Sequence, residues 1–387
     1  MDKKTVLVFT GGGLAPALNP TLAGVITTAQ RHGMRVLGGL YGWACLGAHG
    51  KVIDLTTFDA APLRHVGGTF LRSSRTNPFA VDDGITILQE KIKEYGVDYI
   101  IAIGGDDTLG AASRLFREYN IPVIGIPKTI DNDLQGTYWS PGYPSAAHYT
   151  AQYAYEIKVD AAYALSRVFV IEVLGRQSGW LTAAAAYGLA DIILPPEREY
   201  KLDAVLQAVQ QRYEKNGNYV TVVLSEEARF DREVQGMLQD ANKADSYQVQ
   251  RKAFVAMGLC KKITEELGIS GKPLFPGNFM QTGNPIDIDA QIALQLGEHA
   301  VDLALNGSLG QMACVRRSDL GGSRIDVSDI PLAEAVGKVR FIDDSYFDFD
   351  QFQVTDAFIK YAEPFLGPLA QRQTDPYLHL ITDISHQ

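Results

Sequence analysis

The strongest constraint on how this 387-residue chain folds is an alternation along its length. Six short apolar runs stand out: TVLVF (5–9), YIIAI (99–103), PVIGI (122–126), RVFVIEV (167–173), DIILP (191–195) and YVTVVL (219–224). Between them lie longer stretches with apolar residues three and four apart, at 19–32, 87–95, 108–119, 203–214 and 247–267. Short, β-branched and uniformly apolar runs are strands buried on both faces, and the intervening spacing is helical. The pattern predicts an α/β chain with mainly parallel sheets and helices on both sides. The polar stretch 225–247 reads as an insertion, and 268–286, rich in Gly, Pro and Asn, as a long loop.

Composition narrows the function classes. Hydrophobic residues at 46% and charged residues at 21% are those of a globular core with ample material to bury. A net charge of −10 gives no global attraction for nucleic acid or an anionic membrane, so an anionic ligand needs a local basic pocket. MDKKTVLVFT reads as a first strand and not as a signal peptide, and no long apolar run suggests a spanning helix. Cys45, Cys260 and Cys314 are odd in number and far apart, which predicts free thiols and a cytoplasmic setting.

In folds of this class ligands gather at the carboxyl ends of the strands. Three glycine-bearing loops follow strands here: TGGGLAPALN (10–19), IGGDDT (103–108) and GIPKTIDND (125–133). In the first, glycines allow positive φ and let backbone N–H groups approach an anion at a helix start. It is neither a GxxxxGK[ST] loop nor a GxGxxG fingerprint. The second places two carboxylates side by side: Asp106 suits Mg²⁺, which takes one or two protein carboxylates and completes its shell with phosphate oxygens and water. Asp107 then needs its own reason, a helix cap or a charge that turns a ligand away. The third holds a lysine, a threonine and two aspartates in six residues. If extended, it presents Thr129, Asp131 and Asp133 on one side, as removal of a proton from a hydroxyl requires; an Asx-turn cluster is the competing reading.

These loops, with GGTFLRSSR (67–75), RVFVIEVLGR (167–176), LSEEA (224–228) and PLAEAVGKV (331–339), occur in the order and spacing of the phosphofructokinase family, which the chain resembles to about residue 340. The resemblance implies two similar three-layer α/β/α domains with the active site in the cleft between them. It places a donor-phosphate and Mg²⁺ domain at 1–140, a sugar-phosphate domain at 141–310 and a C-terminal segment at 311–387, part of which packs back on the first domain. It implies Asp131 as catalytic base, with Thr129, Asp133 and Lys128 beside it, and Asp106 as the metal carboxylate. Gly12, Gly13, Arg75, Gly105, Asp107, Thr108 and Lys128 would hold the donor phosphates. Arg167, Leu174, Gly175, Arg176, Glu226 and Gln281 would hold the sugar phosphate, with Arg167 reaching in from a neighbouring subunit of a homodimer or homotetramer. Cations, a metal and one base suffice for phosphoryl transfer, which needs mainly positioning and charge neutralisation.

Members of the family that use ATP commonly carry glycine at the place of Asp107; those that use pyrophosphate carry Asp there and lysine at the place of Lys128. A carboxylate roughly 5 Å from the third phosphate of ATP opposes it by about 3 kcal/mol at an effective dielectric near 20. The resemblance therefore implies transfer from pyrophosphate to the 1-hydroxyl of fructose 6-phosphate, with ATP as the alternative donor and a non-catalytic regulatory subunit as the alternative role. The family's QRGGxPxxxDR segment reads MQTGNPIDIDA (280–290) here, with Gln281 and Ala290 in place of both arginines. Charge-assisted contacts contribute about 1.5 to 3 kcal/mol each, so their loss admits a different acceptor, sedoheptulose 7-phosphate or an unphosphorylated sugar or polyol. Arg72, where the family has glycine, and the acidic FIDDSYFDFDQF stretch (341–352) read as a surface arginine and a solvated tail.

Overall fold

A computed structural model describes residues 3–163, 167–231, 254–318 and 324–369. The first apolar run forms β1 (Thr5–Thr10), every residue of it buried. Leu18–Arg31 follows as helix α1, then β2 (Arg35–Gly39) and β3 (Val52–Asp54). Helix α2 (Gly84–Tyr95) leads into β4 (Tyr99–Gly104), and α3 (Asp106–Tyr119) into β5 (Val123–Pro127). The five strands join the hairpin Gln311–Ser318 and Arg324–Pro331 in a seven-stranded sheet, whose order is Arg324–Pro331, Gln311–Ser318, β5, β4, β1, β2, β3. Its centre is parallel, and β3 and the outer hairpin strand run antiparallel. The register pairs Thr10 with Ile103 and Gly104 with Pro127, so the three glycine-bearing loops leave the sheet side by side at its carboxyl edge.

The chain divides into two compact units. The first comprises residues through Ala146 together with Met280–Arg340. The expected sugar-phosphate domain ran to 310, but 280–310 packs in the first unit. The reason is a close helix crossing: a Cβ on Gly24 of α1 would stand 2.1 Å from the Leu294 carbonyl, and one on Gly297 2.3 Å from that of Thr21. Helix Asp287–Leu305 thus lies against α1 at a distance only glycine permits.

The second unit comprises Ala147–Phe279 and the chain from Phe341 onward. Its four-stranded sheet has the order Gly271–Leu274, Val168–Val173, Val220–Ser225, Ile192–Leu194, all parallel. The acidic stretch expected as a solvated tail contributes core here: Phe347 is fully buried, Ile342 nearly so, and Phe349 and Phe352 are buried too. The Phe352 carbonyl accepts from Ile193 N–H, and Gln353 Nε2 donates to the carbonyls of Ala190 and Asp191. The expected C-terminal segment 311–387 is therefore divided between the two units at Arg340.

The six sequence strands are present within a residue or two of their expected bounds. β2, β3, Gly271–Leu274 and the hairpin were not anticipated. Each is short, half-exposed or polar on one face, and carries no clean period. Of the expected insertion, Arg229–Phe230 pairs with Glu199–Tyr200, and its part beyond Asp231 lies outside the described residues. The helix expected at 247–267 is described from Val255 to Leu267. All three cysteines are buried and free. No helix among the described residues is long and apolar enough to cross a membrane.

Candidate active site

In the first unit the three loops interlock through glycine. Gly12 has φ +83° and donates to the Ser74 carbonyl, while its own carbonyl accepts from Ser73 Oγ at 2.6 Å. Thr108, on the first turn of α3, fits between two glycines: a Cβ on Gly11 would lie 2.4 Å from its Oγ1, and one on Gly104 2.5 Å from its Cβ. Thr108 is buried and acts as a spacer between the first and second loops. Lys128 is 3% exposed, and its Nζ donates to the Gly13 carbonyl at 2.5 Å. A buried ammonium is tolerated only where oxygens compensate its lost hydration. This one lies directly beneath the first glycine loop.

Asp106 and Asp107 are the first two residues of α3, with Gly105 at its cap position. They are helical rather than loop residues, and neither side chain caps the helix. Both are exposed. Negative charge at a helix start is favoured by the helix dipole, and Asp106 Oδ1 accepts from Gly337 N–H at 2.7 Å. Gly337 belongs to the PLAEAVGKV segment, which gains a local reason for its place in the pattern. Among the described residues no group of three or more His, Cys, Asp or Glu forms a metal cage. One exposed carboxylate with a second oxygen not engaged by Gly337 is the donor set Mg²⁺ takes when phosphate and water complete its shell, so the residues fit that ion.

The segment carrying Asp131 is not extended. Asn132 sits in the left-handed region at φ +57°, buried, with its Oδ1 accepting from Ser140 N–H, and the chain turns there. Asp131 and Asp133 flank the turn, Asp131 N–H donates to Thr129 Oγ1 at 3.0 Å, and the Asp133 carbonyl takes Arg340 N–H. Thr129 pairs with Gly142, whose N–H donates to Asp289 at 3.0 Å. Asp289 is wholly buried and also accepts from Ser145 N–H and Oγ at the start of helix α4 (Tyr143–Tyr163). Burial pushes its carboxyl up to about 6. Asp289 thus braces the turn that presents Asp131, while its neighbour Ala290 is buried and offers no side chain to a ligand.

Gln281 belongs to a different unit from the other expected sugar-phosphate residues. It lies in the first unit, with its Nε2 3.8 Å from where a Cβ on Gly13 would be. Arg75 is exposed. Arg72 is exposed too, in the left-handed region at φ +61°, with its guanidinium 5.7 Å from the Tyr41 ring centre. The glycine usual there in the family is explained by that backbone.

The second unit brings together some of its expected residues. Leu174, Gly175 and Arg176 leave the strand Val168–Val173, and Glu226 leaves Val220–Ser225, at paired ends where Val173 matches Ser225. Arg176 N–H donates to Glu226 Oε1 at 3.3 Å, and Glu226 N–H to the Val173 carbonyl. Gly175 at φ +136° and Arg176 at φ +51° make the turn sharp and leave the arginine exposed. Arg167 sits at the other end of the same strand, about 23 Å of extended chain from Leu174. Its Nε is buried without a hydrogen-bond partner among the described residues.

Glu172 and Glu197 escape a reading of the sequence loops. Glu172, inside a buried strand, accepts from Ala256 N–H at the start of helix Val255–Leu267, and burial pushes its carboxyl up to about 7. The only signal in the sequence is a carboxylate within the apolar run RVFVIEV.

Comparison with known proteins follows the same outline. The phosphofructokinase family model matches residues 5–304. The chain is 33% identical over 354 residues to a pyrophosphate–fructose 6-phosphate 1-phosphotransferase of Dictyoglomus thermophilum, covering 90% of this chain and 98% of that one. It is 31% identical over 341 residues to ATP-dependent 6-phosphofructokinase 3 of Streptomyces coelicolor, covering 87% and 96%. The crystal structure of a pyrophosphate-dependent phosphofructokinase from Marinobacter aquaeolei superposes with a TM-score of 0.82 at 25% identity, over 94% of this chain and 91% of that one. With its interlocked glycine loops, its two α/β units and a family match over most of its length, this chain belongs to the phosphofructokinase family.

Proposed function

We propose that the protein transfers a phosphoryl group from pyrophosphate to the 1-hydroxyl of fructose 6-phosphate, as a reversible reaction with Mg²⁺. The observation that carries the reading is the pairing of the buried Lys128, under the Gly12–Gly13 loop, with Asp107 exposed at the start of α3. A compact tetra-anion gains from a fixed cation beneath it, whereas a longer triphosphate meets the second carboxylate. Gly12, Gly13, Gly105 and Thr108 shape the donor loop, and the exposed Arg75 supplies positive charge to the donor phosphates. Asp106 would hold Mg²⁺, which when bound neutralises charge on the phosphate oxygens.

Asp131 takes the proton of the acceptor hydroxyl, its backbone fixed by Thr129, with Asp133 across the turn restraining the same site. Arg176 and Glu226, joined through the Arg176 N–H, hold the sugar phosphate with the Leu174–Gly175 backbone. Arg167 lies too far along its strand to serve the same chain's Arg176, which supports its serving a neighbouring subunit of a homodimer or homotetramer. Gln281 stands beside Gly13 of the donor loop.

A second reading keeps the donor and changes the acceptor, and one observation favours it: Ala290 is buried and Gln281 faces the first loop, so neither replaces a phosphate-binding arginine. The test is a panel of acceptors (fructose 6-phosphate, sedoheptulose 7-phosphate, fructose, ribose and inositol) assayed with pyrophosphate or ATP and Mg²⁺ on purified protein. Turnover of fructose 6-phosphate with pyrophosphate, abolished in Asp131→Asn, is expected. Turnover with ATP alone overturns the donor assignment, and preference for another acceptor establishes the second reading.

A further inference from the structure

The turn Leu174–Gly179, which carries Arg176, is tied to the C-terminal segment of the second unit by one side chain. Glu197 Oε1 accepts from Gly179 N–H at 2.7 Å and from Ile342 N–H at 2.9 Å. Its other oxygen, Oε2, is buried without a hydrogen-bond partner among the described residues. Gly179 is packed so closely that a Cβ there would lie 2.4 Å from Pro195 Cβ, 2.6 Å from Glu197 Oε2 and 3.0 Å from Ile342 Cγ2. Four residues thus meet at one point without room for a methyl group.

Both sides of this junction are otherwise stiff. The turn itself is closed by Ser178 N–H on the Gly175 carbonyl, and Ser225 Oγ donates to the Arg176 carbonyl. Past Gly179, Trp180 is buried against Tyr346 and Tyr361, with ring centres 5.1 and 4.9 Å away, both from the C-terminal segment. Tyr187 Oη reaches the Ile359 carbonyl in the same layer. The outer wall of the junction is a crevice of about 480 Å³, lined by Gln177, Glu197, Glu227, Arg229 and Phe341. Gln177 and Glu227 each follow directly on Arg176 and Glu226 in the chain.

We infer that Glu197 is a positioning residue for the acceptor: it latches the Arg176-bearing turn to the C-terminal segment, so that this segment sets where Arg176 stands relative to Glu226. The inference rests on the acceptor reading of Arg176 and Glu226. A carboxylate holding two N–H groups makes charge-assisted bonds with fixed geometry. Nothing else in the described structure accepts the Gly179 and Ile342 N–H groups, so losing the carboxylate frees both strands of the junction together. Burial raises the Glu197 carboxyl to about 7, opposed by its two N–H donors and by Arg229.

The test is steady-state kinetics of full-length Glu197→Ala, Glu197→Gln and Gly179→Ala with fructose 6-phosphate and pyrophosphate, beside Arg176→Ala as a control. Misplacement of a binding group by about an ångström costs on the order of tenfold to a hundredfold. The expected result is an acceptor KM raised by about that factor in Glu197→Ala and Gly179→Ala, with pyrophosphate KM within about twofold of wild type. Glu197→Gln, which keeps one acceptor oxygen, falls between wild type and Glu197→Ala. Gly179→Ala keeps the carboxylate and pushes the junction apart, so a shared phenotype cannot come from loss of charge. Circular dichroism and thermal melting confirm that the variants compared are folded. Equal losses for both substrates, or an unchanged acceptor KM in a folded Glu197→Ala while Arg176→Ala raises it, overturn the latch. No change in Arg176→Ala overturns the acceptor reading and the latch with it.

Discussion

Replacing Asp107 with glycine separates the two reasons for a second carboxylate at the start of α3. The free protein loses an acidic side chain from the first helical turn and gains a glycine inside the helix. The lost dipole interaction costs about 0.3 to 1 kcal/mol and the change from Asp, itself a poor helix former, to Gly about 0.3 kcal/mol, so the variant is less stable by roughly 0.6 to 1.3 kcal/mol. For the donor, a charge roughly 5 Å from the third phosphate opposes it by about 3 kcal/mol at an effective dielectric near 20 and by ~0.8 kcal/mol in bulk water. Because Asp107 is exposed, the relief on its removal falls between these limits. That is on the order of 4-fold to 150-fold in kcat/KM for ATP. An aldolase-coupled assay with each donor at fixed fructose 6-phosphate reads both constants, and pyrophosphate kcat/KM is expected to change by less than the ATP gain. If the variant still turns over pyrophosphate and gains nothing with ATP, the charge argument for donor choice is refuted.

Further outcomes follow from the buried carboxylates. Asp289→Ala leaves the N–H groups of Gly142 and Ser145 without their acceptor and is expected to destabilise the protein by about 3 kcal/mol, read by urea unfolding; a loss under ~1 kcal/mol refutes its bracing role. Glu172 titrates near 7 in the folded protein, above the ordinary carboxylate value of about 4.3. The native state therefore holds its proton more tightly, and the contribution of Glu172 to stability falls as pH rises from about 4 to about 7, then levels. Glu172→Gln removes that titration, so the unfolding free energy of the variant minus that of wild type should climb across this window; parallel pH profiles refute the assignment.

How much was legible depended on the range of the interaction. Each central strand announced itself because both of its faces are buried, which forces an unbroken apolar run. β3 and Gly271–Leu274 announced nothing, since a partly exposed edge imposes no pattern. The glycine loops were readable as loops. That Gly11 and Gly104 exist to admit Thr108 was not, because the clash is with a side chain about a hundred residues from the first of them. The expectation of an extended TIDND segment failed at Asn132, a residue type that tolerates the left-handed region and whose side chain found Ser140.

The sequence by itself determined the α/β class and the strand-end loops, with side chains of types that can bind phosphate or move a proton, since these rest on local periodicity and residue type. Tertiary structure alone decided that 280–310 belongs with the first unit, that Lys128 lies under Gly13, that Arg167 and Arg176 stand at opposite ends of one strand, and that the acidic C-terminal segment supplies core. Each of these is a meeting of residues distant in the chain. Such meetings are selected by packing and by the need to satisfy buried polar groups, and neither leaves a periodic trace in the order of the amino acids.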